Sequence, residues 1–164
     1  DADDVISSIR SLTLSAAGTA HVFYAPMIAA SESARENYLQ QPETATAFGR
    51  FGDLQVLVTG VGAWAPGRSV IFDNLPADIR QAASRAGTVA DIAGTPVDRH
   101  GVPVDCEARR RTVTPDVRVL GETRDRIAVV FDPERAAAVR IAINSGAVNT
   151  IVTHRAHAEA LLAL

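Results

Sequence analysis

Hydrophobic positions along the chain switch repeatedly between helical and strand spacing. Val5, Ile6, Ile9 and Leu12 recur at helical intervals, and Gly18 is placed to stop that helix. His21–Ala25 is a short apolar run ending at Pro26, which predicts a buried strand. Ser31 can cap a helix running to Gln40, and Pro42 suits the first turn of the next. Leu54–Thr59 is apolar and β-branched and enters Gly60-Val61-Gly62, the pattern of a buried parallel strand. Leu75-Pro76 opens a helix that Gly87 closes. Two short stretches within 88–104 flank a hairpin-like turn at Asp98-Arg99-His100-Gly101.

In the last third, Val117–Leu120 and Ile127–Val130 read as strands, and residues 105–116, which carry the arginine run with prolines nearby at 103 and 115, read as the mobile loop. Asp132 can cap, and Pro133 begin, a helix that ends before Gly146. Val148–Val152 is a final strand, with Thr153 capping a terminal helix. Strands interleaved with helices predict one α/β domain over residues 1–164. Its strands at 21–25, 54–59, 127–130 and 148–152 form a mainly parallel sheet flanked by helices in three layers, with a small irregular or antiparallel extension near 88–104.

Composition narrows the chemistry. Hydrophobic residues are 47% and charged residues 21%, the balance of a folded globular domain rather than a disordered chain. No apolar run approaches the ~18–20 residues of a membrane span, and the acidic start Asp-Ala-Asp-Asp is unlike a signal peptide. A net charge of −3 argues against nucleic-acid binding by the domain as a whole. All 16 cationic side chains are arginine, which excludes a Schiff-base lysine, a P-loop lysine and a Ser–Lys dyad.

The lone Cys106 can form no internal disulfide; a half-buried side chain at a strand end is the favoured reading, and it fits a reducing, cytoplasmic setting. Asp3-Asp4 reads as solubility or helix-dipole complementation. Arg109–Arg111 reads as a solvated run, and Trp64 with Ala65-Pro66 as either an exposed patch or core. His154 and His157 lie three apart on a helix without a carboxylate partner, so a solvated helix face is preferred over a metal site. No G-x-S-x-G elbow and no catalytic constellation is present.

Ligands collect beyond the carboxyl ends of parallel strands. That rule selects Ala25-Pro26-Met27, Gly60-Val61-Gly62, Phe131-Asp132 and Thr153-His154. Asp91 joins them if its strand enters the sheet. It is a lone carboxylate in an apolar stretch, where burial without a partner would cost several kcal/mol, so it is expected to face a pocket.

These segments together resemble a known family. Val56–Ala63 resembles the "vGIGa" strand of the SorC-family sugar-binding domain, and Ala86–Gly94 followed by Asp98-x-x-Gly101 resembles its "aGAVGDi.g…D.dG" segment. Tyr24-Ala25-Pro26 is similar to the family's "LpAP", and Ala136–Leu162 follows its "KaeAIlaALrgGlvdvLvTDe.tA..LL" pattern with Arg135 on the lysine position. The resemblance covers about residues 5–164.

It implies a NagB/RpiA-like fold and the effector domain of a bacterial sugar-responsive transcriptional regulator. Such a domain binds a sugar or sugar phosphate, uses no cofactor or metal, performs no catalysis and assembles as a homodimer or homotetramer. DNA would be contacted only by an upstream helix-turn-helix absent here, as is the family's first strand. The implied ligand-binding residues are Pro26, Gly60, Val61, Gly62, Asp91, Asp132, Arg135 and Thr153. The alternative is a sugar-phosphate isomerase of the same fold. The family's Gly-Gly ahead of the phosphate-binding helix is Phe131-Asp132 here, so Asp132 is expected to compete with phosphate for that helix terminus and to weaken its binding.

Overall fold

The computed structural model describes residues 2–164, with side chains from Ser7 onward; the side chains of Asp3, Asp4, Val5 and Ile6 lie outside the described residues. The chain opens with helix α1, Ala2–Ser15. Residues 18–26 follow as irregular backbone before α2 (Glu32–Leu39) and α3 (Pro42–Gly49). The Ser31 side chain accepts from the Ala34 amide at 3.1 Å, and Pro42 takes the first turn of α3, as their residue types dictate.

The expected strand at 21–25 does not form. The segment has strand composition, but among the described residues no neighbouring strand pairs with it, and Val22 and Tyr24 are exposed. A strand exists by its ladder, so propensity without a partner leaves coil.

Three strands make the parallel sheet: β1 (Val56–Thr59), β5 (Asp125–Val129) and β6 (Thr150–Val152), in the order β1-β5-β6. Val58 stands opposite Ile127, and Val129 opposite Val152. Helix α8 (Ala136–Asn144) connects β5 to β6. Its Ala138, Val139 and Ala142 pack with Ala128, Val130 and Val148 in one core cluster. On the other face of the sheet Val56, Val58, Val129 and Val152 are exposed.

A second, antiparallel sheet is built from β2 (Val61–Ala63), β3 (Ala90–Ile92) and β4 (Thr95–Val97). It is the extension expected near 88–104, enlarged by Val61–Ala63. Val61, Ala90, Ile92 and Val97 join the α8 cluster, so the small sheet closes the main core. The tight hairpin is at Ala93-Gly94, both with positive φ (50° and 80°), the geometry of a type I′ turn. The Asp98–Gly101 turn lies one step later and returns the chain to a single bridge between Val97 and Pro103.

A second cluster gathers α4 (Val70–Asn74), α5 (Ala77–Arg85) and α6 (Glu107–Arg111) through Ile71, Leu75, Ile79, Ala83, Cys106 and Ala108. Full burial of a side chain such as Ile71 contributes roughly 1.5–3 kcal/mol. Trp64 packs against this cluster, edge-on to Phe72, and its Nε1 donates to Ser84 at 3.0 Å.

Six further expectations are corrected here. Residues 105–116 form α6 and a bridge from Thr112 to Ile28, and Cys106 is a buried core residue at the cap position of α6. The arginines of α6 are paired: Arg109 with Asp116, Arg110 with Asp105 and Glu32, and Arg111 with Glu107 and the Ala29 carbonyl. Val117–Gly121 is helix α7, because the Asp116 carboxylate caps it at the Arg118 amide and Leu120 turns inward. The terminal helix α9 (Arg155–Leu162) is capped by His154, whose Nδ1 accepts from the His157 amide at 3.2 Å, and not by Thr153. His157 is not solvated: it is fully buried.

Candidate functional site

The carboxyl end of β1 runs into Gly60-Val61-Gly62, where the chain leaves the parallel sheet for the antiparallel one. A cavity of about 300 Å³ opens at this crossing. One wall is Thr59–Gly62, and another is the turn into α4 with Arg68 and Ser69. The hairpin at Ala93-Gly94 and the segment Thr112–Thr114 form a third, and Arg135 enters from the 3-10 turn Pro133–Arg135.

Asp91 sits at the floor. It stands opposite Gly62 in the β2–β3 ladder and is only 7% exposed. A methyl group built on Gly62 would collide with the Asp91 carboxylate and approach Ser69 Cβ to 3.0 Å. Glycine is therefore required there for the carboxylate to lie across the strand. Burial raises the Asp91 pKa above its ordinary 3.8, partly offset by a hydrogen bond from Ser69 and the charge of Arg135. Ser69, itself buried, also accepts from the Phe72 amide at 3.0 Å and so caps α4 beside Asp91. Asp91 Oδ2 is buried with no protein partner. Buried polar groups are normally satisfied, so this atom, together with the buried and likewise unpartnered Nε atoms of Arg68 and Arg135, is what a ligand would meet.

The walls are fixed by backbone pairing. Val113 N–H donates to the Met27 carbonyl at 2.9 Å, and Ala29 N–H to the Arg111 carbonyl at 2.8 Å. Arg35 Nε donates to the Thr112 carbonyl at 2.7 Å, and Thr114 Oγ1 to the Ala93 carbonyl at 2.6 Å. The two pocket arginines are held from behind. Arg68 forms an ion pair with Glu134 and lies 3.9 Å from Asp132, and Arg135 lies 3.6 Å from Asp132. The Asp132 carboxylate meanwhile accepts from the Glu134 amide at 3.0 Å, capping the turn as expected.

Of the residues read from the sequence, Gly60, Val61, Gly62, Asp91 and Arg135 line this cavity. Pro26 does not, although its neighbour Met27 does. Asp132 stands behind the arginines, and Thr153 lies outside the lining. Sequence reasoning missed Arg68, Ser69 and Thr112–Thr114. Ser69 before the apolar Val70-Ile71-Phe72 is a helix-cap signal that could have been found; nothing local marks Arg68. Among the described residues, no group of His, Cys, Asp and Glu is arranged to hold a metal ion. Among them, too, no helix is long and apolar enough to cross a membrane.

A cavity at the end of a parallel strand, walled by loops and floored by a buried carboxylate, defines an α/β ligand-binding domain. The family model described as "Putative sugar-binding domain" matches residues 2–163, and the chain belongs to that family. The resemblance read from the sequence is thereby borne out.

Solved structures share the fold. A transcriptional regulator from Streptococcus pneumoniae TIGR4 superposes with a TM-score of 0.82 at 18% identity, over 94% of this chain and 60% of its own. A domain of a possible sugar-binding transcriptional regulator from Arthrobacter aurescens TC1 gives 0.85 at 16%, over 96% and 61%. The full-length sorbitol operon regulator SorC from Klebsiella pneumoniae gives 0.78 at 20%, over 88% and 47%. The chain thus spans between 47% and 61% of the length of these proteins. No curated protein sequence matches it.

Proposed function

We propose that this domain is the effector-sensing part of a sugar-responsive transcriptional regulator, and that its ligand is a sugar or sugar derivative bound in the cavity at the end of β1. The observation that carries this reading is Asp91: a buried carboxylate whose Oδ2 has no protein partner, floored on Gly62 and opening into a space of about 300 Å³. A sugar hydroxyl donating to Oδ2 would satisfy it, and Gly60, Val61 and Arg135 are placed to contact the same ligand. Pro26 and Asp132 would act through neighbours, Met27 and the two arginines; Thr153 has no such neighbour in the contacts of the lining.

The domain works by binding rather than turnover. An isomerase needs a base and an acid partner at the sugar's carbonyl carbon. Asp91 is the only carboxylate in the lining, and the arginines beside it are engaged in ion pairs. DNA contact would belong to sequence outside these residues, and signalling to an assembly of two or four copies.

A thermal-shift screen of sugars and sugar phosphates on this domain tests the reading. We expect stabilisation by some members and its loss in Asp91→Ala with the fold retained by circular dichroism. A domain that no sugar stabilises, or turnover of a pentose or hexose phosphate abolished by Asp91→Asn, would overturn it.

A further inference from the structure

The polar groups of the cavity are not evenly divided between donors and acceptors. Thr112 Oγ1 donates to the Ala108 carbonyl at 2.8 Å, Thr114 Oγ1 to Ala93 at 2.6 Å and Thr59 Oγ1 to Gly60 at 3.3 Å. Ser69 Oγ accepts from the Phe72 amide at 3.0 Å. Each of the three threonine hydroxyls has spent its single hydrogen on the protein and keeps only lone pairs. Asp91 Oδ2 adds a further acceptor.

The side-chain donors that remain in the wall are the guanidiniums of Arg68 and Arg135, whose buried Nε atoms have charge partners but no hydrogen-bond partner. Both face carboxylates: Arg68 is paired with Glu134 and lies 3.9 Å from Asp132, and Arg135 lies 3.6 Å from the same Asp132 oxygen. Two cations are therefore matched by Asp132 and Glu134 before Asp91 is considered. A phosphate monoester would bring between one and two further negative charges and acceptor oxygens to a wall that already presents acceptors. An uncharged polyol brings the complement, a row of hydroxyl donors, and its C–H face can lie against Met27, Val61 and Val113.

We infer that the cavity selects an uncharged sugar or polyol over its phosphate ester, and that Arg68 and Glu134, through their ion pair, determine that choice. This rests on the sugar-binding reading above and goes beyond it by naming the ligand's charge class and a specificity pair.

The test uses matched pairs: glucose with glucose 6-phosphate, fructose with fructose 6-phosphate, ribose with ribose 5-phosphate, and sorbitol with sorbitol 6-phosphate. Each is titrated into the parent domain and into Glu134→Gln, whose side chain is mostly exposed, so that the fold is retained. Inorganic phosphate is titrated into both as a probe independent of the sugar. In the pair that binds, the uncharged member should bind the parent more tightly. Glu134→Gln should narrow the gap by about tenfold, the equivalent of one charge-assisted contact released to the ligand. Inorganic phosphate should stabilise Glu134→Gln and leave the parent unmoved. A phosphate ester that binds the parent as tightly as its sugar, or inorganic phosphate that stabilises parent and variant alike, would overturn the inference while leaving the sugar-binding reading standing. No binding by any sugar or ester in either protein would overturn that reading, and this inference with it.

Discussion

Gly62 and Asp91 face one another across the β2–β3 ladder, and the space a Gly62 side chain would fill is occupied by the Asp91 carboxylate. Gly62→Ala must push that carboxylate, and Ser69 beyond it, out of place. We expect a loss of about 1–3 kcal/mol from overpacking. Gly60→Ala, where nothing lies within 4 Å of the added methyl, should cost little by comparison. Urea unfolding of the two variants measures the difference; equal stabilities would mean that Asp91 moves aside freely and that the cradle is not rigid.

Where local chemistry decides the backbone, the sequence was readable: Ser31 before α2, Asp132-Pro133 before α8, and the β-branched run of β1. Where tertiary pairing decides, it was not. His21–Ala25 and Val117–Leu120 have strand composition, yet one found no ladder and the other was taken by the Asp116 cap. Asp91 was legible because a lone carboxylate in an apolar strand needs a reason. Arg68 was not, because its role comes from Glu134 across the fold. His157 was misread for want of its partner: it lies four residues before Leu161, on the face of α9 that meets the core.

Asp91 and Asp98 should give opposite pH signatures. Burial raises the Asp91 pKa above 3.8, so between 3.8 and the folded value the native state holds a proton the unfolded chain has lost. The stability tied to that proton is complete below 3.8 and is lost as pH rises through the folded pKa. Asp91→Asn mimics the protonated form and should be more stable than the parent at pH 7 without ligand, with the two converging in acid. It should also no longer be stabilised by the sugar. A variant less stable than the parent at pH 7 would show that the ionised carboxylate supports the fold.

Asp98 is half-buried in its turn, and the Val102 and His100 amides, donating at 2.9 and 2.8 Å, lower its pKa below 3.8. Its contribution is present above 3.8 and is lost as pH falls through the folded value. Asp98→Ala should therefore be less stable than the parent at neutral pH, with the difference vanishing in strong acid. Unfolding curves across pH check this; a difference that does not depend on pH would assign the effect to turn geometry rather than to the charge.

Ser69→Ala removes a cap and a partner at once. Loss of the bond to the Phe72 amide should cost about 1 kcal/mol. Loss of the hydroxyl from Asp91 removes one of the influences that lower its pKa, so the pH-dependent part of the stability curve should move upward. Ser69→Thr, which keeps the hydroxyl, should restore the pH dependence even if its methyl costs some stability. If the alanine variant leaves the pH profile in place, the bond to Asp91 contributes nothing.

His157 ties the terminal helix to the charged end of the site. Its Nδ1 lies 2.7 Å from the Asp132 carbonyl, which can only accept, so Nδ1 carries the hydrogen of this bond. The ring is fully buried, and the carbonyl it grips belongs to the residue whose carboxylate stands behind Arg68 and Arg135. His157→Ala should cost about 2–4 kcal/mol through the cavity left and the bond lost. His157→Phe keeps a buried aromatic ring, slightly larger than the imidazole, and removes the donor. Since the Asp132 carbonyl also accepts from the Arg135 amide at 3.0 Å, that variant should lose nearer 1 kcal/mol. Both should loosen Asp132 and so raise the response to inorganic phosphate, in the same direction as Glu134→Gln. Denaturant unfolding and phosphate titration on the two variants separate the effects. A His157→Phe protein with parental stability and parental phosphate response would show that packing alone, and not the grip on Asp132, is what the histidine provides.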